Sequence, residues 1–270
     1  RVNMIKEIEE KNSITYNEEQ KEALKKALSC YTLVITGGPG TGKTTILKGI
    51  LELYQTVYKD KNLIDKLVLL APTGRASKRM SETTNYPAST IHRFLKWNKE
   101  TDRFQINEYN KSKAEVVIID EASMLDCLLL KSLLSGLSTN CRVIFVGDAN
   151  QLPAVGAGNV LDDMITSEEI DVISLKNLYR QGKDSHIVTL ANNINQGTID
   201  FSIFDNQSDL SFIECSSEDL FTHLKEVILQ NKYSDYQVLA PMYKTVYGID
   251  AMNLFLQDLL NGKSARKKEI

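Results

Sequence analysis

Residues 32–45 read TLVITGGPGTGKTT, and the fold is decided here. The apolar run Leu33-Val34-Ile35 has the pattern of a buried strand. It enters a loop with glycines at 37, 38, 40 and 42, and Lys43-Thr44 then open ILKGILELYQTVY, whose apolar residues recur at helical spacing. Strand, glycine loop and helix, in that order, are the setting that G-x-x-x-x-G-K-[ST] requires to act as a phosphate cradle. Glycines leave backbone N–H groups free to converge on phosphate oxygens, and the helix start adds its positive dipole end. Lys43 can then reach the β and γ phosphates, and the Thr44 hydroxyl can ligate magnesium. The residues expected to hold a nucleoside triphosphate are Gly38, Gly40, Thr41, Gly42, Lys43, Thr44 and Thr45.

Outward from this loop the chain alternates strand and helix. KLVLLA, EVVIID, RVIFVG and DVISL are apolar runs without polar alternation, the pattern of strands covered on both faces of a parallel sheet. Helical patterns separate them: GRASKRMSE, LDCLLLKSLLSGL and NVLDDMIT. NEEQKEALKKAL (17–28) precedes the loop, with acids early and lysines late as a helix dipole prefers. The layout is doubly wound α/β. Residues 1–170 are expected to form the nucleotide-binding domain, and residues 171–270 part of a second one. In that second part strands are expected at LSFIEC and YQVLAP. Helices are expected at SHIVTLANNINQ, EDLFTHLKEVILQN and YGIDAMNLFLQDLLNG. QVLAPM (237–242) echoes LVLLAPT (67–73), each an apolar run ending in Ala-Pro, which fits two related lobes.

Two strand tips supply the remaining chemistry. EVVIIDEASMLD (115–126) brings Asp120 to the carboxyl end of a buried strand, where it can hold magnesium through water. Glu121 beside it can orient or deprotonate an attacking water. VIFVGDANQLPAVG (143–156) ends another strand in Gln151, whose amide can donate to phosphate and accept from water without adding charge. A triphosphate cradle with an acid poised on water points to a hydrolase of ATP or GTP. No guanine-reading N-K-x-D element follows at the expected strand end. Gln20, in ITYNEEQ, carries an amide able to pair with N6 and N7 of adenine, although by residue type alone it is a surface position on a helix.

The bulk properties exclude several classes. The chain has 270 residues, 42% hydrophobic and 25% charged, with a net charge of −3, so no basic shell coats it for indiscriminate nucleic-acid binding. A local cationic groove stays open. Cys30, Cys127, Cys141 and Cys215 are scattered singly, and with three histidines no zinc spacing can be read. That usage fits a reducing cytoplasm. No apolar run reaches the ~18 residues of a membrane span. The start at Arg1 and the unmarked end at Ile270 suggest a piece of a longer protein.

The motifs, taken in order, resemble the superfamily 1 DNA helicases, most closely the RecD-like branch (the exodeoxyribonuclease V alpha subunit family). The matching blocks are NEEQKEAL, ITGGPGTGKTT, LLAPTGRASKRMSE, STIHRFL, VVIIDEASMLD, VIFVGDANQLPAVGAGNVL, LYRQGKDSHIVTLANNINQG and VLAPMYKTVYGIDAMNLFLQDLLN. They span nearly the whole chain. The resemblance implies two RecA-like P-loop domains with ATP between them, the second incomplete here. It further implies single-stranded DNA across their top, and 5′ to 3′ translocation in DNA repair or recombination beside nuclease or recombination subunits.

The same resemblance makes Gln20 the adenine reader and Arg180, in LYRQ, the arginine that meets the γ-phosphate from the second domain. With Lys43, Glu121 and Gln151 it would form the catalytic set, and Thr44 with Asp120 the metal set. PTGRASKRM resembles the block that grips DNA phosphates, through Thr73, Gly74 and the amides opening that helix. Arg75, Lys78 and Arg79 are then either DNA contacts or a solvated helix face. TIHR points Thr90 and His92 toward DNA. Tyr86, Phe94 and Trp97 could stack on bases or pack in the core. A second arginine finger and the family's small β-barrel insertion are not found before Ile270. The competing reading is a nucleotide-gated DNA-binding scaffold subunit with little turnover, and a P-loop ATPase acting on RNA or protein is a third.

Overall fold

The computed structural model describes residues 2–58, 63–176, 185–198, 201, 205, 207–231 and 236–261. Helices α1 (Val2–Asn12) and α2 (Glu18–Ser29) lead into β1 (Thr32–Gly37) and α3 (Lys43–Tyr58). The short α4 (Leu63–Lys66) precedes β2 (Leu67–Ala71), α5 (Gly74–Thr84), β3 (Ala88–Thr90) and α6 (Ile91–Phe94). A small hairpin, β4 (Trp97–Asn98) with β5 (Arg103–Phe104), follows. Then come β6 (Val116–Ile119), a 3₁₀ turn (Ala122–Met124), α7 (Cys127–Gly136), β7 (Arg142–Gly147), α8 (Val160–Thr166) and β8 (Asp171–Leu175). The chain continues through α9 (His186–Gln196), α10 (Leu220–Gln230) and α11 (Ile249–Asn261).

Six strands form one parallel sheet in the order β3-β2-β6-β7-β1-β8. Every residue of β6 is buried, as are Leu33 to Thr36 of β1 and Val143 to Gly147 of β7, so the sheet is covered on both faces. One core packs α1, α2 and α3 on one face, around Leu24, Ile46, Ile50 and Leu53. The other places Leu125, Leu133, Val160 and Leu161 against Val34, Val117, Ile119 and Phe145. The expected α/β doubly wound architecture is therefore present, with all polar tips at the carboxyl edge of the sheet, where such folds bind ligands.

Local chemistry sets the helix starts. Asn17 and Gln20 form a reciprocal capping box at α2, Thr73 caps α5 and Asp126 caps α7.

The chain divides into two compact units, Arg1–Ile199 and Asp200–Ile270. Residues 171–175 were expected to open the second domain. Instead β8 pairs with β1, Leu33 opposite Asp171 through Gly37 opposite Leu175, and so belongs to the first sheet. In the second unit α10 and α11 form where helices were expected. The expected strands do not form. LSFIEC (210–215) and residues 236–241 of YQVLAP are irregular, with Phe212, Ile213 and Leu239 exposed. A strand exists only through its partners, and neither segment has a ladder among the described residues. No helix among the described residues is long and apolar enough to cross a membrane.

Candidate functional site

The glycine loop between β1 and α3 takes the conformation its composition calls for. Gly40 and Gly42 have φ of +74° and +89°, a region that side chains disfavour. Gly37 has another reason to be glycine: a Cβ there would lie 2.5 Å from the buried Thr41 hydroxyl. That hydroxyl donates to the Gly38 carbonyl at 2.8 Å and closes the loop on itself.

A cavity of about 380 Å³ opens on this loop. Gly38, Gly40, Thr41, Gly42, Lys43 and Thr44 form one wall, Asp120, Glu121 and Gln151 another, and the α5 residues Ala76, Arg79, Met80 and Thr83 a third. Residues more than a hundred positions apart in sequence converge because β6 and β7 are neighbours and β7 lies beside β1. Gly147 makes the approach possible. A Cβ there would meet Leu161 at 2.9 Å and the Ala122 and Ser123 backbone nitrogens at 3.2 and 3.3 Å.

The electrostatics follow from burial against mutual attraction. The Lys43 ammonium donates to the carbonyl oxygens of Gly37 and Gly38. Burial pulls its pKa below the ordinary lysine value, opposed by the nearby charges of Asp148, Asp120 and Glu121. Burial likewise raises the Asp120 carboxyl, opposed by the Glu121 backbone N–H that it accepts at 2.9 Å and by Lys43 and Arg79. Glu121 is raised by burial and then by Asp120, and lowered by Lys43 and Arg79. A carboxyl held above its usual range suits proton abstraction. Glu121 also sits in the left-handed backbone region, φ +54°, at a cost of roughly 1–2 kcal/mol for a residue with a Cβ. Its position as the tight corner after β6 turns the chain into the 3₁₀ element.

The donor set fits magnesium: a hydroxyl from Thr44 and a carboxylate from Asp120 line one cavity, with room for phosphate oxygens to complete a hard oxygen shell. Among the described residues no group of three or more His, Cys, Asp and Glu could hold a metal alone. An ion here would depend on the nucleotide.

Other expected site residues lie elsewhere. Thr45 is half-buried on α3 and does not line this cavity. Gln20 is fully buried, and its side-chain oxygen accepts the Asn17 N–H at 3.1 Å. It lines neither this cavity nor a second one of about 420 Å³ on the opposite flank of the loop, where Thr36, Asp148, Asn150, Ser174, Lys176 and Asn192 meet. Arg180 lies outside the described residues. Thr73, Gly74, Arg75, Thr90 and His92 cluster in sequence just beyond or at the carboxyl ends of β2 and β3. The Thr73 and Thr90 hydroxyls accept the N–H groups of Ala76 and Arg93, so each is a helix cap. His92 joins Trp97 and Phe104 in an aromatic cluster, with Trp97 and Phe104 centroids 4.7 Å apart. Tyr86 is core, its hydroxyl donating to the Leu67 carbonyl at 2.9 Å. A larger cavity of about 730 Å³, lined by Tyr86, Arg93, Phe94, Lys96 and Lys113, lies away from the phosphate loop and holds none of the residues expected to act on a nucleotide.

In this neighbourhood Asp148 was given no role from sequence, and Arg79 was read only as a DNA contact or part of a solvated helix face. Asp148 is buried beside the loop at 3% exposure, and Arg79 faces the cavity. The helical spacing 76, 79, 80, 83 in GRASKRMSETT was the available signal.

Residues 15–218 match the family model of an AAA domain. The chain is 33% identical over 245 residues to the ATP-dependent RecD2 DNA helicase of Deinococcus radiodurans, an alignment covering 91% of this chain and 33% of that protein. It is 34% identical over 232 residues to the RecBCD enzyme subunit RecD of Mycolicibacterium smegmatis, covering 78% and 41%. The chain thus spans less than half the length of these relatives. Among solved structures it is similar in fold to the Pif1 helicase from Candida albicans, with a TM-score of 0.53 at 20% identity over 84% of this chain and 56% of that one.

Proposed function

The chain belongs to the AAA-domain family, in the RecD-like branch of the superfamily 1 helicases, and from that premise we propose that it is the ATP-hydrolysing motor portion of a DNA helicase. The observation that carries the reading is the convergence of Lys43, Asp120, Glu121 and Gln151 on one cavity around a glycine loop. Each has a role its chemistry suits. The loop amides and Lys43 hold the triphosphate. Thr44 and Asp120 hold magnesium, which when bound offsets phosphate charge. Glu121 accepts a proton from water, and the Gln151 amide spans water and phosphate. Arg180 is assigned to the γ-phosphate by family resemblance, and Asp200–Ile270 to the opening of a second RecA-like lobe. Adenine reading by Gln20 asks its amide to leave the capping box.

Single-stranded DNA is the proposed track, along the carboxyl ends of β2 and β3. Because the hydroxyls of Thr73 and Thr90 cap helices, the groups they leave for a phosphate are the backbone N–H groups near Gly74 and the side chains of Arg75 and His92. Translocation 5′ to 3′, work in DNA repair or recombination beside nuclease subunits, and a cytoplasmic location complete the proposal.

The test uses the full-length protein. Single-stranded DNA should raise ATP turnover several-fold, and RNA at the same salt should not. Glu121→Gln should cut turnover by about 10²–10⁴ while nucleotide binding persists. Turnover indifferent to DNA of any length removes the motor reading and leaves the scaffold.

A further inference from the structure

The α5 wall of the cavity adds a group that the assigned roles do not use. Of Ala76, Arg79, Met80 and Thr83, only Arg79 is charged. Its neighbour Lys78 pairs with Glu82 one turn along the helix at 3.9 Å, whereas Arg79 makes no ion pair among the described residues. Its side chain is exposed to the cavity. The charge reaches both Asp120 and Glu121 without a salt bridge to either. A guanidinium is a planar fork of donors matched to phosphate oxygens, and an unpaired one facing a phosphate loop is a ready anion site. The position along the cavity selects which phosphate. Arg79 lies near enough to Asp120 and Glu121 for its charge to act on both, and these are the residues assigned to the metal and the attacking water beside the terminal phosphate.

We propose that Arg79 contacts the terminal phosphate of the bound nucleotide from within the same compact unit, making the site discriminate triphosphate from diphosphate. The inference rests on the reading of this cavity as the ATP site. It has a structural corollary. α5 begins at Gly74, five residues before Arg79 and roughly 8 Å along the axis. One helix therefore carries a phosphate contact in its middle and the expected DNA-facing block at its start. A pull on Arg79 acts directly on Thr73–Arg75.

Binding of ADP and of a non-hydrolysable ATP analogue to the full chain, by calorimetry with magnesium, tests the assignment. Arg79→Ala should weaken the ATP analogue about tenfold, the scale of one charge-assisted hydrogen bond, and leave ADP within about twofold. Arg79→Lys should recover part of the loss, which a purely structural role would not predict. Equal weakening of both nucleotides, or of neither, overturns the proposal. Lys43→Ala keeps the two readings apart. If it removes both nucleotides while Arg79→Ala changes nothing, the site stands and the Arg79 contact falls. A wild-type chain that binds neither nucleotide sinks both.

Discussion

The Lys43 ammonium rests 3.0 Å from the carbonyl oxygen of Gly38, turned back onto the loop that would receive phosphate. It donates to Gly37 as well. These are neutral acceptors, and a phosphate oxygen outcompetes them because a charge-assisted bond is roughly twice as strong. Nucleotide binding should therefore draw Lys43 off the two carbonyls. Lys43→Ala should weaken ADP and ATP-analogue binding by about a hundredfold, the cost of a strong charged contact. Retention of affinity within a few-fold would remove Lys43 from the site.

Gln151 stands apart from the binding contacts. It is exposed on the loop after β7, with its backbone N–H donating to the Asp148 carbonyl at 3.2 Å. It lines the cavity and has no side-chain hydrogen bond to the phosphate loop among the described residues. Gln151→Ala should leave nucleotide affinity within about twofold, since neutral hydrogen bonds contribute only about 1 kcal/mol. Stimulation of turnover by single-stranded DNA should vanish. A parallel loss of binding and turnover would assign the residue to ground-state grip instead.

Tyr54 provides a pH test of the fold. Its hydroxyl donates to the Ala27 carbonyl at 2.5 Å and ties α3 to α2. Burial pushes its pKa from the ordinary 10.0 up to about 12. The unfolded chain ionises first, so this stabilisation is whole below pH 10 and is lost as the pH rises toward 12. The total at stake is roughly 2–3 kcal/mol. Tyr54→Phe should be less stable than wild type by about 1 kcal/mol at neutral pH, for the lost hydrogen bond. The gap should close and then reverse as the pH rises toward 12, because the loss exceeds the initial difference. Urea melts across that range check it, and a constant gap contradicts the buried-phenol account.

Gly49 marks the closest approach in the first core. A Cβ there would lie 2.6 Å from the Tyr16 hydroxyl and 3.0 Å from a Leu24 methyl. Both residues are buried, Tyr16 at 2% and Leu24 at 0% exposure, so neither can swing aside. Alanine gains about 1 kcal/mol of helix propensity, but overpacking costs about 1–3 kcal/mol. Gly49→Ala should lower the melting temperature, and an unchanged or higher value would show that α2 shifts freely over α3.

What could be read from sequence was what short-range pattern determines. The glycine loop, the Asp120-Glu121 tip and Gln151 sit on strands whose apolar runs declare them, and parallel pairing then brings the tips together. Gln20 was legible in two ways, since N-x-x-Q also spells a capping box, and local hydrogen bonding took it. Arg79 was seen but misdirected, because a helix sequence gives the spacing of its faces and not their orientation. The strands expected at LSFIEC and YQVLAP depended on partners that local pattern cannot supply. β8 was assigned across the domain border for the same reason: its sequence says strand, while only the pairing with β1 says which sheet.

The aromatic cluster of the β4–β5 hairpin has a practical consequence. Trp97 is the single tryptophan of the chain, packed against Phe104 and His92 yet 38% exposed. Its emission therefore comes from one place, immediately after the Thr90–His92 block. A change in intensity or colour on adding an oligonucleotide would report that hairpin alone, with no second indole to dilute the signal and no label to attach.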